Sequence, residues 1–210
     1  MISPAVSRNA LVLTVFAAAI AAGVSVTFLG TKARIAEQKR HQQEQVLSGL
    51  APTEGLDLPL REAAFTVRDT RINPLGAPLQ GFRAIRGGRT VGIILPAVTT
   101  AGYNGRIELL VGLDAAGTLV GVQVLEHQET PGLGDAIEAR KSDWLRGFDA
   151  RSLNNPPPAG WRVRKDGGVF DQLTGATITP RAVVAAVRAA LEYFADHRDE
   201  LLSPDPSEGP

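Results

Sequence analysis

Cysteine is absent from all 210 residues, which excludes disulfides, thiolate-bound zinc, iron–sulfur clusters, thioredoxin-type exchange and c-type haem attachment. Other ligands are scarce too. The only methionine is Met1, and His41, His127 and His197 stand far apart, so neither a haem nor a histidine metal cluster is well supplied. Net charge is missing as well, with 22 basic residues against 22 acidic ones, and aromatics make up only 5% of the chain. Nothing here attracts nucleic acid, whose binding needs a basic surface and stacking aromatics. If this protein handles electrons, an organic cofactor must carry them.

What the chain does contain begins with a long apolar run. Ala10 to Leu29 reads ALVLTVFAAAIAAGVSVTFL, 20 residues without a charge, and as a helix such a run spans about 30 Å, the thickness of a bilayer core. A retained transmembrane helix over 10–29 is the expectation. The rival is a cleaved signal peptide with Ala21, Ala22 and Gly23 near the cut, although signal h-regions run only about 7 to 15 residues. Arg8 precedes the run, whereas Lys32, Arg34, Lys39 and Arg40 follow it; the positive-inside rule alone would therefore leave the large domain in the cytoplasm.

Residues 30–51 are rich in helix formers with sparse apolar points at Ile35, Val46, Leu47 and Leu50, and read as a stalk helix or linker. Pro52, Gly55 and Pro59 punctuate the start of a single globular domain over 52–202. Between Phe65 and Glu126 the runs RTVGIILP, IELLVGLD and TLVGVQVLE read as strands, with turns at Gly87–Gly88 and Asp114–Gly117. Asn154 to Pro158 reads as a surface loop. A final helix is expected from Pro180, with Thr179 as its cap, Pro180 at the first helical position, and Val184, Val187, Leu191 and Phe194 along one buried face. The tail, 203–210, is polar and proline-rich and reads as disordered. Strands followed by helices without regular alternation imply an α+β domain with a mostly antiparallel sheet and flanking helices.

The chemistry concentrates just before that helix, in Asp171, Gln172, Leu173, Thr174, Gly175, Ala176 and Thr177. A small-residue turn there presents hydroxyls to a helix amino terminus, where free N–H groups and the helix dipole favour a phosphate. Gly175 and Ala176 allow close backbone approach and an open path to the Thr177 hydroxyl. The plain alternative is that Thr174, Thr177 and Thr179 only cap the helix and organise the turn. Trp144 and Trp161 read as core or interface anchors, and Tyr103-Asn104-Gly105 as a turn.

The pattern D-x-x-[ST]-G-A-T resembles the recognition sequence of flavin transferases, which attach FMN through a phosphoester to the final threonine, here Thr177. In that family's logic the hydroxyl attacks the pyrophosphate of FAD and AMP departs, with a magnesium-dependent transferase activating the weak nucleophile. Asp171 would then either bind a cation during transfer or steady the turn afterwards. Together with the stretch from Gly102 to Glu138, SDWLRGF, KDGGVFDQLTGATITPRAVV and the amino-terminal span, the motif resembles the G subunit of the Rnf complex, the ion-translocating oxidoreductase that couples ferredoxin and NAD. A more distant resemblance is to the C subunit of the sodium-translocating NADH:quinone reductase.

The resemblance implies a short cytoplasmic tail over 1–9, a single pass through the bacterial inner membrane, and a covalent FMN-binding domain on the periplasmic side, opposite to the charge count. It implies an electron-relay subunit, not catalytic alone, with the other membrane subunits of the complex and a flavin transferase as partners. It also makes Glu129-Thr130-Pro131-Gly132-Leu133-Gly134 a second region of flavin contact: Leu133 against the ring, Thr130 and Glu129 at its edge, and Gly134 in the tight loop. Without the resemblance that segment is only a connecting loop. A membrane-anchored flavin sensor and a non-redox binding module are the competing functions.

Overall fold

A computed structural model describes residues 13–18, 20–25, 28, 46–52 and 54–203. The chain divides into two compact units, Met1–Gln45 and Val46–Pro210. In the first, residues 13–18 and 20–25 are helical, and Leu13, Phe16, Ile20 and Val24 are exposed. Among the described residues no helix is long and apolar enough to cross a membrane. The tail expected over 1–9, much of the span expected over 10–29, the segment read as a stalk up to Gln45 and nearly all of the polar tail lie outside the described residues.

The second unit is built on five antiparallel strands, β1 (Ala64–Val67), β2 (Leu79–Arg86), β3 (Arg89–Gly102), β4 (Gly105–Asp114) and β5 (Leu119–His127), which pair in chain order. The three runs read as strands from sequence fall in β3, β4 and β5. Turn chemistry sets their connections. Gly87 and Gly88 both take positive φ, 58° and 69°, as a two-residue hairpin with the right twist requires. At the β4–β5 turn, Asp114 Oδ1 accepts from the Ala116 and Thr118 amides at 2.9 and 2.8 Å, an Asx-type closure.

Alternation of side chains then gives the sheet two buried faces. Ile93, Leu95 and Ala97 of β3 with Ile107, Leu109, Val111 and Leu113 of β4 join the main core, while Ile94 and Leu110 point to a smaller one on the other face. That smaller core is closed by Leu47, Leu50, Ala51 and Leu60. The end of the segment read as a stalk therefore packs on the sheet. Gly112 permits this, because a Cβ there would collide with the Leu50 carbonyl.

The main face is covered by helix α1 (Ile178–Asp196), whose Val183, Val184, Val187, Leu191 and Phe194 are buried at helical spacing. A short helix α2 (Arg198–Leu202) follows. Between β5 and α1 the chain makes four 3-10 turns at Gly134–Ile137, Trp144–Phe148, Pro158–Gly160 and Arg164–Asp166. Phe148, Phe170 and Trp161 stack there, with ring centroids 4.6 and 5.1 Å apart for successive pairs. Trp161 is thus a core residue, and Trp144 meets the edge of Phe148 at 5.4 Å.

Candidate flavin site at the start of helix α1

Helix α1 starts two residues earlier than its sequence suggests. Thr177 is the cap residue, with φ −94° and ψ −24°, so Pro180 is the third helical residue and Thr179 is the second. The expectation that Thr179 caps the helix is therefore corrected: its side chain is fully buried, and its hydroxyl donates to Glu129 Oε2. The reason lies in tertiary packing, since a buried carboxylate offers that hydroxyl a partner the local chain does not. Thr177 makes no side-chain capping bond and is exposed. The first amides of a helix have no intrahelical acceptor, so an uncommitted hydroxyl stands at the positive end of the helix dipole.

The turn before it is closed by the Ala176 amide donating to the Leu173 carbonyl at 3.1 Å. Gly175 has φ +80°, a conformation that a Cβ disfavours. It also has a neighbour from the second predicted region: a Cβ on Gly175 would lie 2.7 Å from Leu133 Cδ2. Folding thus joins two segments more than forty residues apart, Leu133 and the Thr174-Gly175-Ala176-Thr177 turn. Leu133, beside Gly175, and Ile178, which follows Thr177 in the chain, remain 42% and 43% exposed.

Leu133 is presented by a tight loop. Its amide donates to the Thr130 carbonyl at 3.1 Å, and Gly132 takes φ +78°. Thr130 is half-buried, and its Oγ1 accepts from Asn104 Nδ2 at 3.3 Å. Glu129 is turned inward, 5% exposed, and also accepts from the Asn104 amide at 3.1 Å. Gly134 is buried at the start of the 3-10 turn Gly134–Ile137. Asn104 in the β3–β4 turn is therefore structural, as its Asn-Gly pair suggests.

A chain of polar contacts runs behind this loop. His127 Nδ1 accepts from the Glu129 amide at 3.1 Å, which leaves Nε2 to donate to Glu138 Oε1 at 3.2 Å. Lys141 Nζ bridges Glu138 and Asp135 at 2.6 Å each. Arg140, Lys141 and His127 hold the Glu138 carboxyl down at about 2 against the penalty of burial. Lys141 likewise lowers Asp135, aided by the Gly132 backbone.

The first residue of the motif sits apart. The Asp171 carboxylate pairs with Arg164 at 3.1 Å, both well exposed, and its main-chain carbonyl accepts from the Trp144 indole N–H at 2.7 Å. Its side chain makes no bond to the Leu173–Ala176 turn among the described residues. A groove of about 440 Å³ lies beside it, between Trp144, Gly147, Arg151, Arg164 and Phe170.

Residues 102–192 match the model of the FMN-binding domain, and residues 1–50 match that of the RnfG N-terminal region. Over 206 residues the chain is 43% identical to the G subunit of the ion-translocating oxidoreductase complex of Vibrio cholerae, covering 98% of both chains. It is 45% identical to the corresponding G subunit of Pseudomonas aeruginosa over 202 residues, 96% of this chain and 94% of that one. The chain belongs to the RnfG family. The motif turn and the Leu133 loop both fall inside the FMN-binding part of this family member.

Among solved structures, the C subunit of the Na(+)-translocating NADH-quinone reductase of Parabacteroides distasonis aligns with TM-score 0.49 and 16% identity, over 76% of this chain and 94% of that one. The Shewanella oneidensis NqrC aligns with TM-score 0.46 and 23% identity, over 70% and 71%.

In this RnfG family member neither the bond between Thr179 and Glu129 nor the polar chain from His127 to Asp135 is written in a local sequence pattern. Their partners' proximity in the fold reveals them. One signal was present: Gly102 and Gly134 mark close approach, and a Cβ on either would press on a Glu129 oxygen at 2.8 or 2.7 Å.

Proposed function

We propose that this protein is the electron-transfer subunit of a membrane-bound ion-translocating oxidoreductase of the Rnf type, carrying FMN as a phosphoester on Thr177. One observation supports the attachment point above all: within the FMN-binding part of the chain, Thr177 is exposed, makes no capping bond and stands first at a helix amino terminus. A threonine serving only as a cap would use its hydroxyl on the helix.

The surrounding residues fit the group. The phosphate would lie at the helix start, where amides and dipole favour an anion, with Thr174, Gly175 and Ala176 forming an unobstructed turn. Leu133 and Ile178 offer apolar surface to a flat ring, and Thr130 offers a polar group nearby. Bound FMN supplies reversible acceptance and donation of electrons. The chain's own task is to hold it and shield one side of it, and a covalent bond prevents its loss where free flavin is scarce.

The expected partners are the other membrane subunits of the complex and, for maturation, a flavin transferase that reads the motif. The Asp171 carboxylate, exposed and paired among the described residues with the surface Arg164, is placed to engage such a partner or its cation. The membrane is reached through the apolar segment over 10–29 as a single pass of the inner membrane, with the 52–202 domain on the periplasmic side. Protease treatment of spheroplasts tests that orientation; complete protection of the domain would reverse it.

Co-expression of the full chain with a flavin transferase, followed by denaturing-gel fluorescence and intact mass, tests the attachment. Thr177→Ala should remove all covalent flavin and change stability by less than about 1 kcal/mol, since no capping bond is lost. Undiminished fluorescence in that variant would rule out Thr177.

A further inference from the structure

We propose that Glu129 is a positioning residue for the flavin site: together with Thr179 it clamps the start of helix α1, and so Thr177, against the loop that presents Leu133. This rests on the reading of Thr177 as the flavin attachment point.

Several independent observations define the clamp. The Glu129 carboxylate is 5% exposed and Thr179 is fully buried. Oε2 takes the Thr179 hydroxyl bond and Oε1 takes the Asn104 amide at 3.1 Å. Three separate chain segments, the β3–β4 turn, the loop after β5 and helix α1, thus meet on one side chain. The space around it is closed by two glycines: a Cβ on Gly102 would lie 2.8 Å from Oε1, and one on Gly134 would lie 2.7 Å from Oε2 and 2.9 Å from Thr179 Oγ1. No cation pairs with this carboxylate among the described residues. Its partners are a hydroxyl and an amide, which direct it in space more than they neutralise it.

The placement explains why a carboxylate is used there. Thr179 lies two residues after Thr177, and Gly134 directly follows Leu133. Fixing Thr179 to Glu129 therefore sets how far the Thr177 hydroxyl stands from Leu133, the apolar surface offered to the ring. A buried bond of this kind is specific because leaving either partner unsatisfied is costly. Glu129 thus acts from behind the flavin surface, through Thr179 and Gly134, and its carboxylate is occupied by protein groups.

The test uses the full chain co-expressed with a flavin transferase. Thr179→Val keeps the shape and removes only the hydroxyl; it should slow flavin attachment to Thr177 about tenfold, because misplacement of a reacting group by a fraction of an ångström is enough to do so. The flavin that is attached should show lower fluorescence anisotropy. Thr179→Ser, which restores the hydroxyl, should recover both values, as should Glu129→Gln, whose amide can still bond to both partners. Thr179→Val with the parent's attachment rate and anisotropy overturns the proposal.

Hydrogen exchange on the parent chain provides a second arm that needs no variant. The amides of Gly134 and Thr179 should open as one unit, and independent opening would also overturn the clamp. Absence of flavin from Thr177 in the parent would instead sink the proposed function, leaving the exchange result to judge the clamp on its own.

Discussion

At its carboxyl end helix α1 is held from several sides. Arg71 bridges Asp69 and Asp196 at 2.8 and 2.6 Å, and the buried Tyr193 ring stacks on His197 at 4.3 Å. Beyond it Arg83, 1% exposed, donates from Nε to the Leu201 carbonyl at 3.0 Å and lies 4.5 Å over the Phe65 ring. At its amino end the same helix starts from an exposed threonine with a free hydroxyl, next to a glycine turn and a half-exposed isoleucine. There the ties among the described residues are the buried bond from Thr179 to Glu129 and a partly exposed ion pair from Arg181 to Asp166 at 2.5 Å. The difference separates two tasks: one end anchors the fold, and the other leaves an exposed hydroxyl, the one we propose carries the cofactor.

That separation can be broken by mutation. Leu191→Ala, at a side chain 1% exposed in the main core, should cost about 3 kcal/mol in urea unfolding while leaving flavin stoichiometry intact below the transition. Arg83→Met should follow at about 2 kcal/mol, from the lost bonds to the Leu201 and Glu200 carbonyls of a kind worth that much to a charged donor. Loss of flavin from Arg83→Met would show that the two ends are coupled and that the division fails. Gly175→Ala should have the opposite profile: about 1 kcal/mol for a side chain at positive φ, but a marked fall in flavin attachment by mass, because the new Cβ displaces Leu133.

Smaller effects come from pH and sharpen the same contrast. Glu138 is depressed from an ordinary 4.5 to about 2, chiefly by Arg140 and Lys141. Its contribution is therefore present above 4.5 and is lost as pH falls toward 2. Acid should release the loop bearing Leu133 first, seen as faster amide exchange at residues 127–141. Tyr193 is raised from 10.0 to about 12 by burial and by the carboxylates of Glu200 and Asp69. A raised acid group stabilises the fold below 10 and loses that contribution as pH climbs through 12. Alkali should thus loosen the anchored end first, read from tyrosinate absorbance during unfolding.

Much of this was legible in the residues themselves. The alternation in RTVGIILP, IELLVGLD and TLVGVQVLE, the Gly87-Gly88 and Asp114–Gly117 turns, and the stripe from Val184 to Phe194 are local patterns whose period fixes strand, turn or helix. The Asp171–Thr177 motif and the loop around Leu133 could be singled out as well. Their contact through Gly175 could not, because no periodicity in either segment refers to the other.

Sequence alone determined the antiparallel α+β class, the apolar amino-terminal run, the lack of any cysteine thiolate for metals, and a hydroxyl-rich turn before the last helix. Each follows from composition or from spacing over a few residues. Tertiary structure decided where that helix begins, which of its threonines is buried and which is free, and that Leu50 would pack on Gly112. These depend on desolvation and on partners distant in the chain: Thr179 is drawn inward by a carboxylate fifty positions earlier, while Thr177 makes no capping bond and stays exposed.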